Sequence, residues 1–332
     1  MATVRQGDPN LANMETLASG YLNKAMTMQA ETLGNKFADA IAPSMELKGK
    51  TEGGTTKYDF PFYGQAAELD WMSETGYGDL LTHTITGDMK EPRNLKLRIK
   101  QWQYEDSQLL KDRLQSLATI VQRDKLKMII NWIINGDSTS SDDNLRNLSF
   151  VGDAFFKASH ETWGKSGVMQ NLYALTVATN GDPTVTELAE GLYESIALFD
   201  NMKDDAGRPL FVDIPWGASN IWVLAHTSKR LQWSKLMKAE NFFITGGLQT
   251  NIFKDMFNIY FDSRVTGIDG NNDSFFVFFT GATQKSMIFP TLRKAEVVAD
   301  YDRIEKDVKV AAGHWARPAF CDFRTAIQVT AS

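Results

Sequence analysis

The spacing of hydrophobic residues separates a helical start of the chain from the strands that follow it. Leu17, Tyr21 and Met28 lie near helical spacing within residues 1–47, and Pro43 ends this tendency. These residues include too few apolar side chains to form a core of their own. We therefore expect residues 1–47 to form a helical arm.

From Thr55 onward the spacing of apolar residues changes to two, which is typical of strands. Gly87 and Pro92 mark a turn region between two such stretches. The pattern predicts one long β-hairpin, and isolated two-stranded ribbons are at best marginally stable. The alternating positions are Tyr58, Phe60 and Phe62 in the first strand, and Leu95, Leu97 and Ile99 in the second.

Charges in this hairpin are segregated by sign. Residues 64–79 have a net charge of −4 with no Lys or Arg, and residues 90–100 have a net charge of +4 with Glu91 as their one acidic residue. A solvated charged loop and a loop docked on a neighbouring subunit are both consistent with this pattern. The charged residues are Glu68, Asp70, Glu74 and Asp79, and Lys90, Arg93, Lys96, Arg98 and Lys100.

A long amphipathic helix is predicted next, with Asp106 or Ser107 as its N-cap, a last residue near Asn135 and Gly136 as its stop. About 30 residues at ~1.5 Å each would give a helix on the order of 45 Å long. Its apolar stripe consists of Leu110, Leu114, Leu117, Val121, Met128 and Trp132.

The rest of the chain mixes helices and strands, which predicts an α+β fold. Thr186–Met202 and Thr227–Glu240 have helical patterns, the second with Thr227 as its cap, and Asn220–Ala225 and Phe275–Phe279 have strand patterns. Alternation over Cys321–Val329 predicts a strand that is buried on one face.

Composition narrows the classes of function. The 332 residues have a net charge of −6, which argues against a dedicated nucleic-acid-binding protein. Cys321 is the only cysteine, so neither an intrachain disulfide nor a multi-cysteine zinc site can form. No apolar run is long enough to cross a bilayer, and we expect no membrane partner.

One segment approaches a phosphate-binding loop. Gly164, Lys165 and Ser166 match its end, but Ser159 stands where the loop needs glycine. A phosphate- or nucleotide-binding enzyme that uses these three residues is the alternative function from a different class.

Other candidate chemistry is incomplete. Asp269, Asn271 and Asp273 imitate half of a calcium loop, but Thr280 replaces its bidentate glutamate, which favours a polar turn. Asp302–Asp307 is best explained as a solvated strand face. We therefore expect no catalytic residues, no cofactor and no metal. The histidines, His83, His160, His226 and His314, are scattered without zinc-site spacing.

Two short motifs and the order of the elements resemble known proteins. The order of arm, charged hairpin, long helix, mixed lobe and late strands resembles the major capsid proteins of tailed bacteriophages, which have the Hong Kong 97-like fold. Gly152–His160, followed by Gln170-Asn171-Leu172, resembles the Mu-like prophage major head subunit family, as do the aromatic stretches Phe60–Gly64 and Glu74–Tyr77.

The resemblance implies a domain plan. Residues 1–47 would form the N-terminal arm, 48–104 the extended loop and 185–290 the axial domain. The peripheral domain would combine 105–184, with a spine helix at 105–136, and the C-terminal strands in 291–332.

The resemblance also implies a function without catalysis. The chain would assemble into pentamers and hexamers of an icosahedral virion shell around double-stranded phage DNA, held non-specifically, in the cytoplasm of the bacterial host. A separate scaffolding protein, a portal and decoration proteins would be its partners, and the nine charged residues of the hairpin would contact neighbouring subunits. Lys90 is the one lysine considered for a cross-link. A cellular cargo shell of the same fold is a third alternative.

Overall fold

The computed structural model describes residues 11–30, 32–46, 50–52, 55–63, 82–89, 93–100, 107–137, 154–161, 167–179, 182–203, 207–211, 220–238, 241–244, 247–265, 272–282, 284–302 and 307–331. The helices in these residues are α1 (Leu11–Ala30), α2 (Leu33–Ile41), α3 (Ser107–Ile134), α4 (Val185–Asp200) and α5 (Arg230–Lys238). Short 3₁₀ turns occupy Thr227–Lys229 and Phe323–Thr325.

Most of the strands belong to two five-stranded sheets. The strands are β1 (Ser44–Glu46), β2 (Lys50–Glu52), β3 (Thr55–Tyr63), β4 (Thr82–Met89), β5 (Arg93–Ile99), β6 (His160–Glu161), β7 (Val168–Met169), β8 (Leu172–Leu175), β9 (Ile221–His226), β10 (Asn241–Ile244), β11 (Gly247–Thr250), β12 (Asn258–Asp262), β13 (Phe275–Phe279), β14 (Met287–Asp302), β15 (Asp307–Ala316), β16 (Ala319–Phe320) and β17 (Ala326–Ala331).

The smaller core lies between two helices and one sheet. The sheet has the order β1-β14-β15-β5, and β16 also pairs with β14. Ala18 and Leu22 of α1 pack with the first half of α3 and with the buried face of β15. The buried residues of α3 and β15 are Leu110, Leu114, Leu117, Ala118 and Val121, and Val308, Val310 and Ala312.

The larger core surrounds the other sheet, which has the order β12-β9-β13-β17-β8. Its central strand β13 is buried on both faces. Phe275 makes an edge-to-face contact with Trp233 of α5 on one face. On the other face Phe278 contacts Phe37 of α2. The sheet is therefore covered by α4 and α5 on one side, and by α2 and the second half of α3 on the other.

Helix α3 belongs to both cores. Every residue of its predicted apolar stripe is buried, so this prediction is confirmed. Val121 lies in the smaller core, and Met128 and Trp132 lie in the larger one. None of the described helices is both long enough and apolar enough to cross a membrane.

The predicted arm is helical, and its predicted apolar positions are correct only in part. Tyr21 packs against the smaller core beside the buried Ala18 and Leu22, whereas Leu17 and Met28 are exposed. Helix α2 is part of the larger core through Phe37 and Ile41, so residues 33–42 are packed into the chain itself.

The two strands of the predicted hairpin do not pair with each other. Strand β3 pairs with β4, and β5 pairs with β15 in the smaller core. Gly87 lies inside β4 opposite Tyr58 instead of in a turn, and Pro92 lies outside the described residues. Apolar alternation identified the strands correctly but contained no information about their partners.

Three further predictions need correction. The helix predicted from Thr227 begins as a 3₁₀ turn, and the side chain of His226 caps it by accepting from Ser228 N. The strand predicted over Cys321–Val329 begins only at Ala326, after the 3₁₀ turn. It is buried on both faces because β17 lies inside the sheet between β13 and β8.

The larger sheet also joins strands from both sides of the predicted domain limits. Strands β8 and β17 fall in the predicted peripheral domain, whereas β9, β12 and β13 fall in the predicted axial domain. Strands β14 and β15 pack with the long helix in the smaller core, whereas β17 belongs to the larger sheet.

Candidate inter-subunit surfaces

The two segments that resemble the Mu-like family meet at Asn171. Its Oδ1 accepts hydrogen bonds from Lys157 N and His160 Nε2, both at 2.9 Å. Its Nδ2 donates to the carbonyl oxygens of Phe155 at 2.8 Å and Phe323 at 3.2 Å. The His160 ring stacks on Phe323 with ring centroids 3.9 Å apart. This motif therefore fixes chain segments to one another, and its histidine is part of the packing.

The other described histidines also have structural contacts. His226 Nδ1 lies 2.7 Å from Ser228 Oγ in the 3₁₀ turn, and His314 Nε2 lies 3.4 Å from Asp124 Oδ2 of α3. His83 lies in β4, and its side chain is outside the described ones. In the described ranges, no three His, Cys, Asp or Glu residues are grouped so that they could hold a metal ion.

In the calcium-like turn, the last acidic residue forms an ion pair with a lysine. Asp273 is buried, and its Oδ1 lies 2.5 Å from Lys229 Nζ, which is also buried. This ion pair joins the start of β13 to the turn before α5. Asp269 and Asn271 lie outside the described residues, as do Gly164, Lys165 and Ser166 of the phosphate-loop candidate. Asp302 and Asp307 face each other in the register of β14 and β15.

Cys321 is buried and reduced. Burial raises the pKa of its thiol well above the ordinary value, and the nearby Asp322 acts in the same direction. Asp322 itself accepts from Arg324 Nε at 2.9 Å and from Arg324 Nη2 at 2.9 Å. The thiol therefore has the environment of a packed core residue and not that of a nucleophile.

The basic candidates lie along one edge of the smaller sheet. Lys96, Arg98 and Lys100 are exposed and alternate with the half-buried Leu97 and the buried Ile99. Because β5 is the last strand of its sheet, this basic row borders the sheet. Arg93 faces His314 in the register of β5 and β15. The remaining candidates, Glu68, Asp70, Glu74, Asp79 and Lys90, lie outside the described residues.

A separate ribbon contains the aromatic strand of the predicted hairpin. Strands β2, β3 and β4 form a three-stranded antiparallel sheet. Tyr58, Phe60 and Phe62 occupy alternate positions of β3, opposite Gly87, Ile85 and His83 of β4. In the part of the chain that the structure describes, no strand pairing joins this ribbon to another sheet.

An open cleft of about 630 Å³ lies where α2, α3 and β12 meet. Arg264 donates from Nε and Nη2 to the two carboxylate oxygens of Asp262, both at 2.8 Å. Burial alone would raise the pKa of Asp262, but the hydrogen bonds and charge of Arg264 lower it below the ordinary value. The exposed Ile120 and Arg123 of α3 also line this cleft. The cleft thus combines a fixed ion pair with a lining that is more apolar than polar, which includes Ile120, Leu126 and Tyr260.

Two helices of the larger core, which sequence reasoning did not identify, each carry charged residues of one sign only. Helix α4 contains four acidic residues and no basic ones, and α5 contains three basic residues and no acidic ones. Counting charges by sign within each predicted helix would have found both.

Comparison with known proteins shows a likeness of fold. No protein-family model matches this chain, and no curated protein matches its sequence. The subunit in the crystal structure of a virus-like particle from Pyrococcus furiosus has a TM-score of 0.53 at 8% identity, covering 95% of this chain and 98% of its own. A chain of Microbacterium phage Oxtober96 has a TM-score of 0.48 at 10% identity, covering 89% of this chain and 90% of its own.

A chain from the capsid of cyanophage P-SCSP1u has a TM-score of 0.47 at 10% identity, covering 89% of this chain and 88% of its own. The α+β, Hong Kong 97-like capsid fold that the resemblance implied is confirmed as the fold of the chain. The narrower resemblance to the Mu-like family remains a prediction.

Proposed function

We propose that this chain is the major capsid protein of a tailed bacteriophage, which assembles into pentamers and hexamers of an icosahedral shell around phage DNA. One observation supports this most strongly: the fold match to the virus-like-particle subunit extends over 95% of this chain and 98% of that one. A match of this extent includes both cores and leaves little of the chain for an additional domain. In this role the chain performs no catalysis.

The ribbon supports an inter-subunit role for residues 48–104. Among the described strands this small sheet pairs with no other sheet, and isolated ribbons are at best marginally stable, so the ribbon needs a further surface on which to pack. We infer that the ribbon lies on a neighbouring subunit, and that acidic residues 64–79 pair with the basic row on β5 of that neighbour. Exposed ion pairs contribute about 0 to 1 kcal/mol each, so the shell would depend on many repeated contacts and on apolar burial.

We assign the smaller core to the peripheral domain and the larger core to the axial domain at the centre of each capsomer. A separate scaffolding protein, a portal and decoration proteins are the proposed partners of the shell. Its proposed location is the virion, with assembly in the cytoplasm of the bacterial host.

The direct test is to express the chain with and without a candidate scaffolding protein and to image the products by electron microscopy. We expect rings of five or six copies or closed shells. A compact monomer under all conditions would contradict the proposal.

The contents of the shell separate the two shell functions. Particles that package nucleic acid support the capsid function, and particles that hold a folded enzyme and exclude nucleic acid support the cargo shell. A nucleotide-dependent rise in melting temperature that is lost in Lys165→Ala would instead favour the nucleotide-binding alternative.

A further inference from the structure

Helix α4 presents an acidic surface with an exposed aromatic ring at its centre. Glu190, Tyr193 and Glu194 recur at helical spacing along its outer side, and Tyr193 is 58% exposed. In the described part of the chain, neither Glu190 nor Glu194 has an ion-pair partner. Burial raises the pKa of Tyr173 in β8, and the charges of Glu194 and Glu190 raise it further. We call Glu190, Tyr193 and Glu194 the acidic flank.

Helix α5 and the loop beside it present the opposite charge with exposed aliphatic residues. Lys235 and Lys238 are exposed, and Leu231 is 64% exposed. Asn251 Nδ2 donates to the carbonyl oxygen of Leu236, which holds the 65% exposed Ile252 next to the end of α5. We call Leu231, Lys235, Lys238 and Ile252 the basic flank.

The two flanks lie toward opposite edges of the larger sheet. Gly191 of α4 packs against Phe275 of the central strand β13 and against Leu175 of β8, which is one edge strand. Arg230 of α5 lies over the ring of Phe261 in β12, the other edge strand, at 5.2 Å from its centroid. Trp233 of α5 also contacts Phe275, so the two helices are neighbours, with α4 on the side of β8 and α5 on the side of β12. Each copy therefore has an acidic side and a basic side on one layer of the same lobe.

This arrangement suits a head-to-tail contact between identical copies. A heterologous contact joins two different patches of the same subunit and closes into a ring when its rotation allows. Every copy would use its acidic flank on one neighbour and its basic flank on the other. Both flanks also combine charge with exposed apolar side chains, which is the composition expected of a contact that excludes water.

We propose that the acidic flank on α4 of one copy docks on the basic flank on α5 of the next copy around each capsomer ring. The inference rests on the proposed shell function, because it needs identical copies arranged in rings. In this contact, Glu190 and Glu194 on the larger core of one copy pair with Lys235 and Lys238 on the larger core of the next.

Charge reversal tests this pairing. One variant has Glu190→Lys with Glu194→Lys, a second has Lys235→Glu with Lys238→Glu, and a third combines all four substitutions. We expect each double variant to reduce the yield of rings at least about tenfold at about 0.1 M salt, because like charges would then face each other. We expect the fourfold variant to recover most of the yield, because opposite charges face each other again with exchanged positions.

A matched control reverses two exposed lysines on the smaller core, Lys24→Glu with Lys111→Glu. It changes the net charge by the same amount as the second variant, and we expect parental ring yield. Circular dichroism and thermal melting of each purified monomer establish that every variant is folded.

The outcomes separate the two proposals. A parental chain that forms neither rings nor shells overturns the proposed function. A parental chain that forms rings, together with double variants that form them equally well, overturns the docking of α4 on α5 alone. Double variants that fail without recovery in the fourfold variant also overturn the docking, because both charged surfaces would then contact something other than each other.

Discussion

Asn171 joins parts of the chain that are distant in sequence. Its side chain bonds Phe155 and Lys157 on one side and Phe323 on the other. The sequence motif contained both Asn171 and His160. The bond from Asn171 to Phe323 could not be predicted, because no local sequence pattern relates residues 171 and 323. By contrast, the capping box between Thr184 and Glu187 is local. A Thr followed three residues later by Glu can be found in the sequence alone.

The substitution Asn171→Ala should destabilise the isolated chain by about 3 kcal/mol, because buried backbone groups of Phe155, Lys157 and Phe323 would lose their partner. Urea unfolding measures this loss. The neighbouring Gln170→Ala is the control, since Gln170 is exposed and should change the free energy of unfolding by less than about 0.5 kcal/mol. Equal effects of the two substitutions would contradict the structural role of Asn171.

A pH-dependent contribution to stability is expected from Glu187. Burial alone would raise its pKa, but hydrogen bonds from Ala178 N, Thr184 N and Thr184 Oγ1 lower it below the ordinary value. A carboxyl group with a lowered pKa stabilises the fold above its unfolded pKa, and this contribution is lost as the pH falls through the folded pKa. Glu187→Ala should therefore cost about 1 kcal/mol at neutral pH.

The cost of Glu187→Ala should shrink between about pH 5 and about pH 3, as measured by unfolding the monomer in urea at each pH. Glu190→Ala on the exposed side of the same helix is the control and should change stability little at either pH. A cost for Glu187→Ala that is independent of pH would show that the carboxylate hydrogen bonds do not stabilise α4.

At the scale of elements, some of the helices and strands themselves could be predicted from the sequence, but the pairing of the strands could not. The bounds of β13 and the buried stripe of α3 agree with their predictions, because both depend on local periodicity. The partner of β5 is β15, which lies far later in the chain. Alternation at Leu97 and Ile99 indicates a strand with one buried face, but many strands satisfy that condition. The acidic and basic flanks depend in the same way on where the sheet places α4 and α5.

Two helical glycines should respond in opposite ways to alanine. A Cβ on Gly191 of α4 would lie 2.9 Å from the Phe275 ring, whereas a Cβ on Gly20 of α1 would have no atom within 4 Å. We expect Gly191→Ala to destabilise the chain by about 1 to 3 kcal/mol through overpacking. We expect Gly20→Ala to stabilise it by up to about 1 kcal/mol through helix propensity. Thermal unfolding compares the two, and a stabilising Gly191→Ala would contradict the close packing of α4 on β13.

At the scale of the whole molecule, the ribbon and the two larger sheets are separate in their strand pairing. Among the described strands, β2, β3 and β4 pair only with one another. The sequence predicted the α+β class and the long helix, but it could not show that one lobe has opposite charges on its two sides. That property depends on strand order, which brings together residues from five separate parts of the chain.

Removal of the ribbon should separate folding from assembly. Residues 50–89 can be replaced by a linker of about ten Gly and Ser residues, whose reach of roughly 17 Å exceeds the roughly 14 Å between the edge strands β1 and β5. We expect a folded monomer with a melting temperature near that of the parent, and no closed shells by electron microscopy. Shells formed without the ribbon would contradict its inter-subunit role.

The continuous helix α3 also limits how the subunit can change shape. Its 28 residues span about 42 Å, and its two halves are anchored in different cores. A rotation of one core against the other would have to bend this helix and break its backbone hydrogen bonds. We therefore expect each subunit to move as one rigid body, so that any swelling or contraction of a shell would come from sliding and tilting between subunits.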